Sequence, residues 1–167
     1  AHPDAPPVVE ALEVLCDKSL LRRYEHPEEP DRSRFRLYVY LQEFGRERLA
    51  ESGELVATEA RHARHYLRTG RAWARALVGP EALVALRRLA TEMDNLLAVH
   101  RRALEQTPVS PRTLEDALGA CLALVERMVL RGPIPLAREL LDAALGRPCG
   151  EGVSPALLAE TLLWRGR

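Results

Sequence analysis

"RFRLYVYLQEFGRERL", residues 34 to 49, is the stretch on which the reading of this chain turns. Phe35, Leu37, Val39 and Leu41 alternate with Arg34, Arg36, Tyr38 and Tyr40, the period-two pattern of a half-buried strand. From Gln42, with no Gly or Pro between, the period becomes helical, with Phe44 and Leu49 on one face, and the pattern ends near "ESGE", where Gly53 serves as the C-cap. A strand that runs straight into a helix is unusual in a chain that otherwise reads as helices.

Upstream of it, "SLLRRYE" reads as a second strand, and residues 25 to 33, "EHPEEPDRS", with two prolines and four acids, read as a loop. Two strands and a polar loop predict a hairpin. Before the hairpin, Pro6 and Pro7 sit where a helix begins, and Val8, Val9, Leu12, Leu15 and Cys16 fall on one helical face. A lone two-stranded hairpin is marginal in water unless a helix covers it. Residues 1 to 52 are therefore expected to form one small unit of helix, hairpin and helix.

Downstream, Leu55, Glu59, Ala63, Tyr66, Gly70, Trp73 and Leu77 step by three and four residues, which predicts a long amphipathic helix over 54 to 78. "GPE" stops it and starts the next, which carries Leu83, Leu86, Ala90, Met93, Leu97, His100 and Leu104 on one seam. "TPVSP" breaks the chain, with Ser110 as N-cap ahead of Pro111. Leu114, Leu118, Cys121, Leu122, Val125 and Met128 then mark a helix face, and Leu136, Leu140, Leu141 and Leu145 a shorter one over 135 to 145. After "GRPCGEGVSP", Ser154 and Pro155 start a last helix. The expected fold class is mainly α: a β-hairpin near the N-terminus, then antiparallel helical hairpins over 53 to 167.

Composition narrows the function classes. The chain has 167 residues, 47% hydrophobic and 29% charged, enough apolar content for a real core and too much for a disordered segment. Its 24 basic and 24 acidic residues balance, which argues against a nucleic-acid or anionic-membrane binder. No apolar run is long enough to span a bilayer. Cys16, Cys121 and Cys149 are scattered and odd in number, which points to a reduced, cytoplasmic setting rather than a disulfide framework. Ala1 in place of Met, and an end inside the helical pattern "AETLLWRGR", read as cuts within a longer protein.

Helix, strand, polar loop and strand form the second half of a winged-helix fold, with the hairpin as the wing. Four stretches in order, "ALEVLCDKSLLRR", "RFRLYVYLQEFGRERLAESGE", "RHARHYL" and "LATEMDNLLAVHRRAL", resemble the segment that follows the nucleotide-binding module in STAND-type signalling ATPases of bacteria. The resemblance implies the wing and last helix of a winged-helix unit up to residue 52, followed by a tetratricopeptide-like α-α superhelix. It implies ATP and Mg for the parent protein, and as partners the parent's own nucleotide-binding domain and a protein or small-molecule signal. Two departures stand out. Tyr38 to Tyr40 replace a more usual Leu-Glu-Thr run, and no G-x-x-x-x-G-K-S/T loop is present, so no cofactor is assigned to this chain. Past residue 111 the likeness thins to Ala137 and Ala144, small residues seven apart on one helix, with Pro148 near the closing turn.

No residue pattern supplies a catalytic centre. Glu59, His62 and His65 invite a metal reading, but the histidines are three apart rather than four and no further ligand accompanies them, so a hydrogen-bonded helix face is expected. Arg22, Arg23, Arg32, Arg34 and Arg36 line the hairpin, while Glu25, Glu28, Glu29 and Asp31 at its tip would repel a phosphate backbone. Asp94 and Asn95 sit mid-helix, where short polar side chains need a partner, and "RHARHY" is the candidate. Arg34, Arg36, Arg61, His62, Asp94 and Asn95 are thus the residues expected to contact another domain or a partner. His100 and Cys121 read as core residues, and Cys149 as an exposed thiol. The rival readings are a nucleic-acid-binding winged-helix regulator with a helical dimerisation domain, and a small helical enzyme. A deep pocket with convergent polar groups and perturbed acids would mark the latter.

Overall fold

A computed structural model of the chain describes residues 7 to 148 and 152 to 167. Its elements are α1 (Val8–Asp17), β1 (Leu21–His26), β2 (Glu29–Leu37), α2 (Val39–Glu51), α3 (Leu55–Ala76), α4 (Ala82–Thr91), α5 (Met93–Glu105), α6 (Pro111–Arg131), α7 (Ile134–Leu145) and α8 (Pro155–Arg165). The protein is mainly helical, with one two-stranded antiparallel hairpin near its N-terminus. Among the described residues no helix is long and apolar enough to cross a membrane. Pro6 and Cys149 lie outside the described residues. The chain divides into two compact units, one ending at Thr58 and one starting at Glu59.

In the first unit α1 ends through Ser19 at φ 56°, with Leu20 N–H donating to the Leu15 carbonyl and Ser19 N–H to that of Cys16. This paired arrangement satisfies the last helical carbonyls and turns the chain into β1. The hairpin pairs Leu21 with Leu37, Arg23 with Phe35 and Tyr24 with Arg34. It differs from the expected hairpin in two ways. The loop expected over 25 to 33 is largely strand: β1 continues to His26 and β2 begins at Glu29, leaving a short turn at Pro27 and Glu28. Pro30 is tolerated because a two-stranded ribbon has only edge strands, and the register slips there between Glu25 and His26.

The strand also ends sooner than its alternation suggests. Tyr38 is the residue before the helix, at φ −63° and ψ 149°, and α2 starts at Val39 rather than Gln42. Val39 and Leu41 therefore belong to a helix, and the alternation through them is a coincidence of two periods. Phe35, Leu37, Val39 and Leu41 do not form a buried inner face: Phe35 is 41% exposed and Val39 70%. Leu21 is the one buried apolar side chain among the described residues of this unit. On the other face Arg34 pairs with Glu29 at 3.7 Å and the Arg36 guanidinium lies 5.2 Å from the Tyr24 ring. Helix α2 closes as expected, with Gly53 at φ 74° and Glu54 N–H donating to the Leu49 carbonyl.

The second unit is built around α6. Its buried residues, from Leu114 through Ala117, Leu118, Cys121 and Leu124 to Met128, occupy all sides of the helix, the pattern of a helix enclosed by others. Helices α4, α5, α7 and α8 pack on it. Helix α3 joins them through Gly70, where an added Cβ would lie 3.1 Å from both Ala123 Cβ and Leu96 Cδ2. Ser110 caps α6 as expected, and Thr113 completes a capping box with it.

The expected single helix over 80 to 104 is two helices. Glu92, at φ −106° and ψ 8°, interrupts it, and the Thr91 hydroxyl bonds back to the Arg88 carbonyl. Thr91 supports a helix poorly because its side chain competes for that backbone. The buried seam runs through Ala85, Leu89, Leu96, Val99, His100, Ala103 and Leu104, so that of the expected positions His100 and Leu104 are buried while Leu83 is exposed. His100 is buried as expected, and its Nε2–H donates to the Leu140 carbonyl at 3.1 Å, tying α5 to α7. Ala137 and Ala144 are buried on α7, where small side chains let that helix approach α6.

Candidate functional site

Three helices of the second unit converge on an open groove of about 510 Å³. Helix α3 contributes Leu67, Arg71, Ala74 and Arg75, spaced by three and four residues and so on one face. Helix α6 contributes Arg112, Glu115, Asp116, Gly119 and Leu122 with the same spacing, and the start of α8 contributes Ser154, Ala156, Leu157 and Glu160. Three arginines thus face three carboxylates over a floor of Leu, Ala and Gly.

These charges are unequally engaged. Glu115 Oε1 accepts the Ser154 N–H at 2.8 Å, which satisfies one of the exposed donors at the start of α8 and complements its dipole, so Glu115 is a capping group. Arg112 Nε stands 4.0 Å from Asp116 Oδ1, the outer limit of an ion pair, with the arginine largely in solvent. Burial pushes the Asp116 carboxyl above its ordinary range; the Arg112 and Arg71 charges oppose that rise and Glu115 adds to it. Arg71 lies across Gly119, where an added Cβ would sit 3.6 Å from the guanidinium and 3.3 Å from Leu67 Cδ2. Arg71, Arg75 and Glu160 make no hydrogen bond or ion pair within 4 Å among the described residues. Among the described residues the groove's lining contains no His, Cys or Lys. What it offers is recognition of charge of both signs beside a small apolar floor.

None of the six residues expected to make contacts lines this groove. Arg34 and Arg36 lie on the hairpin with the partners described above. Arg61 is exposed on α3 and Asp94 is exposed on α5. His62 and Asn95 do come together, as "EMDNLL" and "RHARHY" suggest. The Asn95 side chain hydrogen-bonds the His62 ring and its Nδ2 donates to Glu92 Oε2 at 2.6 Å, while Arg102 Nη2 donates to His62 Nδ1 at 2.7 Å. Arg102 also faces Glu59 at 3.9 Å. Burial, followed by the Arg102 charge, lowers the His62 pKa, which keeps the ring neutral and able to accept. A guanidinium occupies the lone pair a metal would use, and among the described residues no group of three or more His, Cys, Asp or Glu is placed to hold a metal ion.

The groove itself was not visible in the sequence. The one local hint is Gly119 inside a helix, where a side chain would crowd Leu67 and Arg71. Cys121, the nearest thiol on α6, is buried and its pKa is pushed up to about 12, so it adds no nucleophile. No protein-family model, curated protein or solved structure matches this chain.

Proposed function

We propose that this chain is a non-catalytic regulatory and protein-interaction module of a bacterial STAND-type signalling ATPase. In this reading the first unit is the later half of a winged helix that packs on the parent's nucleotide-binding domain, whose ATP and Mg are not held here. The second unit is the helical region that receives a protein or small-molecule signal. The four sequence stretches in order suggest the family. The structural observation that carries the reading is the near absence of a core in the first unit. With Leu21 the one buried apolar side chain among its described residues, Val8, Val9, Val39 and Phe44 stay exposed, and apolar surface left so open is commonly the contact face of another domain. Stacked helices suit the second role because they present an extended surface made of many side chains, and a signal that binds one arrangement better than another biases a closed-to-open equilibrium.

The test uses the full-length parent alongside this chain. Hydrogen exchange over Val39–Glu51 is expected to be slower in the parent than in the isolated chain, and to change between ADP and ATP. Purified alone, the chain is expected to show no ATP turnover. Turnover that survives purification, or a parent with no P-loop module ahead of residue 1, overturns the reading. Salt-dependent binding to duplex DNA, weakened by Arg34→Glu and Arg36→Glu, replaces it with a nucleic-acid-binding regulator.

A further inference from the structure

We propose that the groove between α3, α6 and α8 binds a small zwitterion, an amino acid or short peptide, with its carboxylate on Arg71 and Arg75 and its ammonium against Asp116 and Glu160. As a statement about regulation this rests on the reading of the second unit as the receiver of a signal; as a statement about binding it concerns this chain alone.

The argument begins with the two arginines on α3. Residues four apart on a helix are neighbours, and like charges there repel. Arg71 and Arg75 hold that arrangement on the groove wall with no acid within ion-pair distance among the described residues. Two guanidiniums side by side present paired donors that match a carboxylate. A doubly charged anion alone fits poorly, because Asp116 and Glu160 line the same groove. A cation alone fits poorly too, since three arginines surround it. A ligand bearing both charges a few ångströms apart satisfies both sets.

Asp116 is the acid best suited to the ammonium. It lies near Arg71, is half-buried, and its only ion pair among the described residues, with Arg112, is at the 4.0 Å limit. Glu115 is committed to the start of α8 and is left out of the assignment. Gly119 lets Arg71 lie close against the α6 backbone, and Leu67, Leu122 and Leu157 give an apolar side chain somewhere to rest. A volume of about 510 Å³ falls in the range of small-ligand sites and accommodates a dipeptide as well as a single amino acid.

Calorimetric titration of this chain at low salt tests the inference, with L-leucine, L-glutamate, L-arginine and leucyl-leucine as probes, and inorganic phosphate and putrescine as single-sign controls. At least one zwitterion is expected to bind saturably and to raise the melting temperature. Tighter binding of leucyl-leucine than of leucine identifies a peptide, and the reverse a free amino acid. Arg71→Ala, Arg75→Ala and Asp116→Asn are each expected to weaken binding by about tenfold or more, the loss of one charge-assisted hydrogen bond. Arg138→Ala, on the exposed face of α7, leaves it unchanged. The arginines are exposed, so their variants fold, and the melting curve of each variant verifies this. No saturable binding by any zwitterion overturns the inference. So does phosphate binding as tightly as the zwitterions with Asp116→Asn indifferent, which describes a plain anion site. Neither result bears on whether a P-loop precedes residue 1, so failure here and failure of the parent reading are separable.

Discussion

Three glycines inside helices allow the packing of this protein to be tested with one chemical change. Replacing Gly by Ala in a helix interior removes backbone freedom from the unfolded chain and stabilises by about 0.5 to 1 kcal/mol where the new methyl has room. At Gly45 in α2 an added Cβ meets nothing within 4 Å, so Gly45→Ala is expected to deliver the full gain of about 1 kcal/mol. At Gly119 in α6 the Cβ meets the end of the Leu67 side chain at 3.3 Å, which yields at small cost, and the gain shrinks to about 0.5 kcal/mol. At Gly70 it meets Ala123 Cβ and Leu96 Cδ2 at 3.1 Å and Leu96 Cδ1 at 3.2 Å. Leu96 and Ala123 are fully buried, and the Ala123 methyl is fixed to the α6 backbone, so neither has space to retreat into. Overpacking of this kind costs about 1 to 3 kcal/mol. Set against the helix gain, Gly70→Ala is expected to destabilise by about 1 kcal/mol. Urea unfolding followed by far-ultraviolet circular dichroism reads all three. Gly70 and Gly119 belong to the same unit, so their comparison needs no assumption about how the two units unfold. Equal stabilisation by Gly70→Ala and Gly119→Ala would refute the close approach of α3 to α5 and α6.

Three further outcomes concern the core, a helix cap and the buried histidines. Leu124→Ala removes a fully buried side chain from α6 and is expected to cost about 2 to 5 kcal/mol in the same urea experiment; a cost under about 1 kcal/mol contradicts the central place of that helix. Ser110→Ala breaks the capping box of α6 and is expected to cost about 1 kcal/mol, with Ser110→Thr restoring most of it. Burial lowers the pKa of His100, a fall that its bond to the Leu140 carbonyl opposes, and burial likewise lowers that of His62. The folded state therefore favours the neutral rings. Their contribution is complete above the unfolded value of 6.5 and is lost as pH falls through the lower folded values. Stability measured against pH is expected to decline below about 6.5 and to flatten in a His62→Gln, His100→Gln double variant. An unchanged slope in that variant assigns the decline to other groups.

Much of the fold was legible because its signals are local. Gly53 and Ser110 mark helix ends through bonds that reach only a few residues, Pro155 marks one through its fixed φ, and the apolar spacing of α3 fixes which side of that helix is apolar. The same locality explains the misreadings. From Phe35 to Leu41 a period of two and a period of three to four share the same apolar positions, so the spacing alone could not say where β2 ends. Pro30 within β2 contradicts a general preference that an edge strand relaxes. Which face of α4 is buried depends on its packing against α6, and there Ala85 and Leu89 are buried while Leu83 is exposed.

The sequence by itself determined a mainly helical chain with one hairpin near its start, the ends marked by Gly53 and Ser110, and the core roles of His100 and Cys121. Each of these follows from side-chain chemistry and from neighbours within about one helical turn. Only the tertiary structure decided that His62 accepts from Arg102 and that Arg71, Asp116 and Glu160 share one groove. Those residues lie on helices far apart in the chain, and what brings them together is the burial of α6, whose small and apolar side chains let α3 and α8 close in on either side of the charges.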